Sequence, residues 1–318
     1  MKATTRRRFL SQCAGTAAGA WLAPALLQAA NRGQASATFP SVPFPSGARE
    51  RIAIASYPFR EFIAGSGHKG GNPTIELKDF AAHVVERFKV HRIEPWSAHF
   101  PSTDGKYLAE FREAVERAHA AVANIAVDGE DSPYAADRAQ REKAIAFSQR
   151  WIEVAVGIGS PSVRTNIPQA KDAKPGVDRL AESLRRVVEH ASERNVVVHL
   201  ENDNPVSEDP FFLVQVIEKV NSPWLHALPD FGNTLNAHDE DYNYRAIDAM
   251  FTRAYGICHV KDGEVNREGK ATHVDLARTF GILKRHGYKG YCSIEYDAPG
   301  DPYSTTAKLV EKTAGYLE

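Results

Sequence analysis

Four residues in the second half of the chain could together do chemistry that none could do alone. Glu201, Asp230, His259 and Glu295 are separated by 29, 29 and 36 residues. Each ends or follows a short apolar run, in NVVVHLEN, WLHALPD, YGICHVKD and GYCSIEYD. If those runs are parallel strands in register, the four side chains stand at one height and point at one axis. Two Glu, one Asp and one His converging on a wet mouth form a divalent-metal set. Hard oxygen donors with one imidazole suit Mn2+, with Mg2+, Co2+ or Zn2+ as alternatives. Without a cation, three carboxylates so close would repel one another and take up protons.

The rest of the chain supplies the elements such a site needs. From Arg51 a pattern repeats, in which an apolar run ends in polar residues and an amphipathic stretch follows. The runs cover residues 51–57, 91–96, 124–128, 161–166, 195–202, 224–230, 255–262 and 290–297. Helical spacing marks stretches such as 77–88, 107–122 and 177–194. This alternation predicts an α/β fold, a single-domain parallel (β/α)8 TIM barrel over residues 51–318. An open doubly wound sheet would want a Gly-rich phosphate turn after an early strand, and none is present. The helix-to-strand connections are short, Asn195 alone in one case, whereas strand-to-helix stretches such as 60–74, 231–243 and 262–273 are long and polar. Barrels carry their active sites on the face those longer loops build.

Composition narrows the partners. The 318 residues carry 39 basic and 40 acidic side chains, net −1, which leaves no basic footprint for nucleic acid. Residues 1–37 place a basic cluster before an Ala/Gly-rich apolar run and end in small residues, as an export signal does. Residues 38–50 hold three prolines without periodicity and read as a linker. Cys258 and Cys292 fall on neighbouring strands, facing outward; buried free thiols are the expectation, with a disulfide between them open.

The motifs HLEN, PDFGN, CHVKD and SIEYD resemble the xylose isomerase-like barrels, the sugar phosphate isomerase/epimerase superfamily, from Arg51 to the C-terminus. The resemblance implies that Glu201, Asp230, His259 and Glu295 hold one divalent ion. It also implies that Glu201 and Glu295 are the pair that moves protons. The expected activity is isomerisation or epimerisation of an unphosphorylated sugar or keto-sugar, by proton abstraction beside a carbonyl through a metal-bound enediolate. Two other outcomes stay open: a lyase that β-eliminates from 3-keto-glycosides, and a periplasmic sugar-binding protein. Thr5-Arg6-Arg7-Arg8-Phe9-Leu10 resembles the twin-arginine motif, which implies the twin-arginine translocase as a partner and a periplasmic or otherwise exported location. Endonuclease IV shares the implied fold, but strands one to three here end in Tyr57, Trp96 and Asp128, not in histidines.

Further residues are substrate-binding candidates. Lys261, two past His259, should face inward, where it either holds a substrate oxygen or pairs with Asp262 or another carboxylate. Arg164 either clamps substrate or pairs with Glu201. Trp96 either stacks on a sugar or packs in the core; Tyr57 and Phe59 could wall the pocket, and Glu94 could stand behind it. Asn233 occupies the position, three past the Asp, where ketose 3-epimerases commonly carry histidine, and the substrate-binding arginine expected after His259 has no clear counterpart, Val265 falling near it and Arg267 further on. His199 is expected to be a core histidine bonded to a neighbour; His68, His99, His238 and His273 are expected to be solvated loop residues. A small carbohydrate is the expected partner, a homo-oligomer is admitted, and substrate identity is open.

Overall fold

Eight parallel staves form a closed ring in the computed structural model, which describes residues 39–65, 73–203, 206, 209–265, 268–298 and 300–318. The export-signal reading of residues 1–37, and His68, lie outside the described residues. One arc of the ring runs β3 (Ala121–Val122), β2 (Arg92–Glu94), β1 (Ile52–Ala55), β11 (Tyr291–Ile294), β8 (Ile257–Val260). The other runs β4 (Ile125–Val127), β5 (Ser162–Thr165), β6 (Val197–Glu201), β7 (Leu225–Leu228). Single parallel bridges close it, Trp96 with Ala126 on one side and Ala227 with Ala254 and Asp230 with His259 on the other. The barrel predicted from the alternation of runs is the fold observed, and Ala37–Glu318 is one compact unit.

Eight α-helices surround the ring among the described residues: α1 (Phe80–Phe88), α2 (Gly105–Arg117), α3 (Arg138–Ile158), α4 (Val177–Arg194), α5 (Pro210–Val220), α6 (Glu240–Phe251), α7 (Leu276–Arg285) and α8 (Pro302–Leu317). Helix α4 shows why they dock. Leu180, Ala181, Leu184, Val187, Val188 and Ala191 recur at three- and four-residue steps, and all are buried. Each fully buried Leu or Val side chain among them contributes roughly 1.5–3 kcal/mol. Their partners are Val196, just before β6, and the outward residues Val198 and Leu200 on it, which share the same core cluster.

The two ends of the helices explain the asymmetric loops. An Asp caps the start of six of them (Asp104, Asp137, Asp209, Asp239, Asp275, Asp301), each accepting a hydrogen bond from a first-turn N–H. Several helices end in a left-handed residue, Lys89, Gly159, Asn195 or Asn221. That conformation reverses the chain in one step, so the next strand begins almost at once.

Residues 39–50 lie against the floor of the barrel. The Phe44 ring meets Tyr255 and Tyr291 edge-on at 5.3 and 5.6 Å and packs on Ala53, Ala123, Leu228 and Ile257. Tyr255 donates to the Pro40 carbonyl and the Ser41 N–H to Asn195 Oδ1. Cys258 and Cys292 are register partners on β8 and β11, buried and free, with sulfurs 3.7 Å apart.

Four local expectations fail for identifiable reasons. The helical stretch at 107–122 ends at Arg117, because His119 takes a left-handed conformation (φ 51°) and the chain enters β3. The third stave is two pieces, β3 and β4, rather than one run at 124–128. The long stretch 262–273 folds on itself as an antiparallel hairpin of β9 (Gly263–Val265) and β10 (Ala271–His273). Phe59 is fully buried among Phe80, Phe88 and Tyr303 and does not wall the pocket.

Glycines separate tight positions from slack ones. A Cβ on Gly290 would sit 2.5 Å from the Tyr255 carbonyl oxygen and 2.6 Å from that of Gly256, backbone atoms that cannot swing away. Gly290→Ala should therefore destabilise the protein by roughly 1–3 kcal/mol. Gly281→Ala, in α7 with nothing within 4 Å, should stabilise it by up to about 1 kcal/mol. Urea unfolding of both variants checks the contrast, and equal effects would contradict it.

Candidate metal centre and catalytic pocket

At the C-terminal ends of the strands a cavity of about 220 Å³ opens between Tyr57, Trp96 and Asp128 on one side and Glu201, Lys261 and Glu295 on the other. Arg164, Asp203, Asn233 and Asp297 complete its lining. Two larger clefts, of about 480 and 490 Å³, lie at the opposite end around Arg49 and Lys89 and around Asn221 and Arg253. Each is lined by a single carboxylate and a single imidazole, Glu50 with His91 and Glu218 with His226, and neither gathers several carboxylates around one ring.

Glu201, Asp230, His259 and Glu295 converge at the base of the smaller cavity. Each offers a ligand atom within 4.8 Å of the others, and all four are buried. Glu201 is the last residue of β6, and Glu295 follows β11 directly. Asp230 is tied down by its surroundings: its Oδ1 accepts from the N–H groups of Gly232 and Asn233, at 2.8 and 2.7 Å. The Asn202 side chain pairs with its backbone in both directions, accepting from Asp230 N at 2.8 Å and donating to Asp230 O at 3.2 Å. The second oxygen, Oδ2, is left facing the centre.

The His259 ring divides the carboxylates. Its Nδ1 faces Glu201 Oε1 at 2.6 Å, Glu295 Oε2 at 3.1 Å and Asp230 Oδ2 at 3.9 Å. Its Nε2 faces both oxygens of Glu94, at 3.0 and 3.1 Å. Burial alone would push this imidazole down, but Glu201, Glu295 and Glu94 outweigh it and hold it well above its ordinary value. Asp230 is pushed up by burial, with the Lys261 ammonium opposing and Glu201 and Glu295 adding to the rise. Burial would also raise Glu295, but His259 and Lys261 draw it well below the usual carboxylate range.

These residues fit a divalent cation. Glu201 Oε2 and Asp230 Oδ2 are buried without a hydrogen-bond partner. Arg164 Nε lies 2.8 Å from Glu201 Oε2, an ion-pair contact outside hydrogen-bond geometry. One imidazole cannot satisfy three carboxylates on one edge, whereas a cation among them can.

Most residues singled out in the sequence reach this place, in specific roles. Lys261 points inward, its Nζ 2.7 Å from Asn233 Oδ1, 3.2 Å from Glu264, 3.3 Å from Glu295 and 3.4 Å from Asp230. Asn233 also turns its Nδ2 toward Glu201 Oε1 at 3.4 Å, linking lysine and glutamate. Arg164 is paired with Asp128 and Glu201, with Asp203 at 3.8 Å. Trp96 and Tyr57 meet edge-to-face at 5.1 Å, and the indole N–H donates to Asp128 at 2.6 Å. Their rings form an aromatic wall. Glu94 has no exposed surface and lines no part of the cavity; it sits behind His259, because it points into the barrel below the mouth.

Two histidines differ from expectation. His99 is buried under Trp96, its Nδ1 2.9 Å from Ser56 Oγ, and is not solvated. His199 is a core residue, but neither ring nitrogen has a hydrogen-bond partner; the ring lies where a Cβ on Gly256 would come within 2.6 Å. Burial holds it well below its ordinary value, so it is a neutral filler. His238 and His273 are exposed, and Arg267 lies outside the described residues.

Sequence reasoning missed Asp203, Asp297 and Glu264. The first two had a signal. Asp203 follows Glu201 and Asp297 follows Glu295 by two residues, the same inward parity that identified Lys261 after His259. Glu264 arrives on the β9–β10 hairpin, which no periodicity announced.

Comparison with known proteins agrees with the barrel fold. The family model described as xylose isomerase-like TIM barrel matches residues 77–317. No curated protein matches the sequence. A xylose isomerase-like TIM barrel protein from Mycobacterium smegmatis, solved in complex with magnesium, superposes with a TM-score of 0.65 at 19% identity, covering 85% of this chain and 98% of its own. D-allulose 3-epimerase from Methylomonas sp., solved with D-allulose, gives 0.66 at 15% identity over 87% and 99%. An L-ribulose 3-epimerase gives 0.66 at 17% identity over 84% and 93%. At these identities the likeness is one of fold.

The raised His259 proton affinity has a measurable consequence. A cation can use Nδ1 only after the imidazolium loses a proton, and the elevated Asp230 carboxyl adds to that competition. Divalent-metal affinity should therefore rise with pH until His259 in the metal-free protein is neutral, with proton release on binding. Titration calorimetry with Mn2+ at about pH 6.5 and about pH 8, in buffers of different ionisation enthalpy, measures both. Binding that is independent of pH and buffer would refute this electrostatic account.

Proposed function

Since the chain belongs to the xylose isomerase-like TIM barrel family, we propose that it is a metal-dependent sugar isomerase or epimerase acting on an unphosphorylated sugar or keto-sugar. The observation that carries this reading is the pair Glu201 and Glu295, which bring carboxylates from β6 and β11 to one small cavity beside His259 and Asp230. The four would hold one divalent ion, Mn2+ by preference. Such a cation, when bound, polarises a carbonyl and stabilises the negative charge that develops on its oxygen.

The remaining work falls to the chain's own groups. One of the two glutamates takes the proton beside the substrate carbonyl, and the other returns one from the opposite side. Lys261 donates to a substrate oxygen, held in place by Asn233 and Glu264. Arg164 fixes the Glu201 carboxylate, and the Trp96–Tyr57 wall offers apolar area to a sugar ring. Charge supports the neutral substrate. Arg164 faces Asp128, Glu201 and Asp203, Lys261 faces Asp230, Glu264 and Glu295, and Arg60 faces Asp297 at 2.8 Å, so each of these three cations among the described residues is already engaged by carboxylates rather than open to a phosphate.

A second reading is a lyase on 3-keto-glycosides, with the same proton abstraction followed by loss of the β-substituent. Asn233 favours it, because it replaces the histidine that the resemblance to ketose 3-epimerases calls for, and it steers Lys261, an ammonium able to donate to a departing oxygen. The twin-arginine resemblance supports export, with the translocase as partner and the periplasm as the place of action.

Purified protein should carry about one divalent ion per chain by elemental analysis. With Mn2+ in deuterated water it should wash deuterium into one of a panel of ketoses and keto-glycosides. Glu295→Gln should slow that exchange by about 10²–10⁴-fold. Products of unchanged mass indicate isomerisation and fragments indicate elimination. Sugar binding without exchange in any panel member would mark a binding protein and end the enzyme reading.

A further inference from the structure

We propose that Glu94 is a positioning residue for the metal centre: it fixes the His259 ring so that Nε2 keeps the proton and Nδ1 presents its lone pair to the cation. The proposal rests on the metal site put forward above and extends it to a residue outside the cavity.

The geometry is that of a buried carboxylate serving one imidazole. Both Glu94 oxygens lie at 3.0–3.1 Å from His259 Nε2, and both residues have no exposed surface. The opposite ring nitrogen, Nδ1, is the one among Glu201, Asp230 and Glu295. A neutral imidazole has one donor and one acceptor nitrogen, so the partner of one decides the state of the other. With a carboxylate against Nε2, the proton is retained there and Nδ1 is free to ligate.

Glu94 is in turn held. Asn124 Nδ2 donates to its Oε1 at 2.7 Å, and Ser162 Oγ donates to Asn124 Oδ1 at 2.7 Å or to the Ala123 carbonyl at 3.1 Å. A polar chain thus crosses the barrel interior from β8 through β2 and the β3–β4 break to β5. A dry core would exclude such a chain unless each member were engaged, since unpaired buried polar groups are costly. The break in the third stave acquires a purpose in this light: Asn124 sits in it, side chain turned inward to Glu94.

The test is a double-mutant cycle on Mn2+ affinity, measured by titration calorimetry on the whole protein. Glu94→Gln should weaken binding about 10–100-fold. In a His259→Gln background the same change should weaken it no further, because a residue acting through His259 has nothing left to act on. Unchanged affinity in Glu94→Gln overturns the proposal, as does an equal loss in both backgrounds. The wild-type protein offers a check that needs no variant. With Mg2+ bound, nitrogen NMR of the His259 ring should report Nε2 protonated and Nδ1 bare, and the reverse tautomer overturns the assignment. Wild-type protein that takes up no divalent ion would instead overturn the metal site itself.

Discussion

Everything at the mouth of this barrel depends on one imbalance of charge. Glu94, Glu201, Asp230 and Glu295 surround a single imidazole in a place water barely reaches. Buried carboxylates are tolerated only when something positive meets them. His259, Lys261 and Arg164 each meet several, and the arrangement still leaves two carboxylate oxygens without hydrogen bonds. The fold holds like charges together against their repulsion, and the helices, caps and core supply the stability that makes this possible. A doubly charged ion placed among these carboxylates would relieve more of that repulsion than a monovalent ion or a proton.

How far the sequence disclosed this arrangement follows from the physics of strands. Residues at strand ends were legible because a period of two and a common register are rigid rules. Glu201, Asp230, His259, Glu295 and Lys261 all obey them and meet as expected. Residues whose placement depends on irregular backbone were not. His99 looked like a loop histidine, yet a single 3-10 turn carries it beneath Trp96 to Ser56. Glu264 rides a hairpin whose two strands are three residues each, too short to show a period. Glu94 was expected among the substrate-binding residues or just behind them; it stands behind His259 and outside the cavity, since sequence fixes its strand but not its depth below the mouth.

The barrel also shows how local rules distribute labour between its two ends. Left-handed residues at the closed end, Asn195 and Asn221 among them, keep the returns to a few residues and pack that end tightly. Aspartate caps at the open end let long loops enter helices without leaving first-turn N–H groups unpaired. The open end is thereby free to vary its loops, and the hairpin that delivers Glu264 to Lys261 is one use of that freedom.

The strap that carries Phe44 across the floor settles a question of orientation. Phe39, where the described chain begins, borders the cleft around Asn221, Pro223 and Arg253, at the end of the barrel away from the candidate metal centre. The strap of residues 39–50 therefore seals the closed end of the barrel, and none of its residues lines the cavity at the mouth.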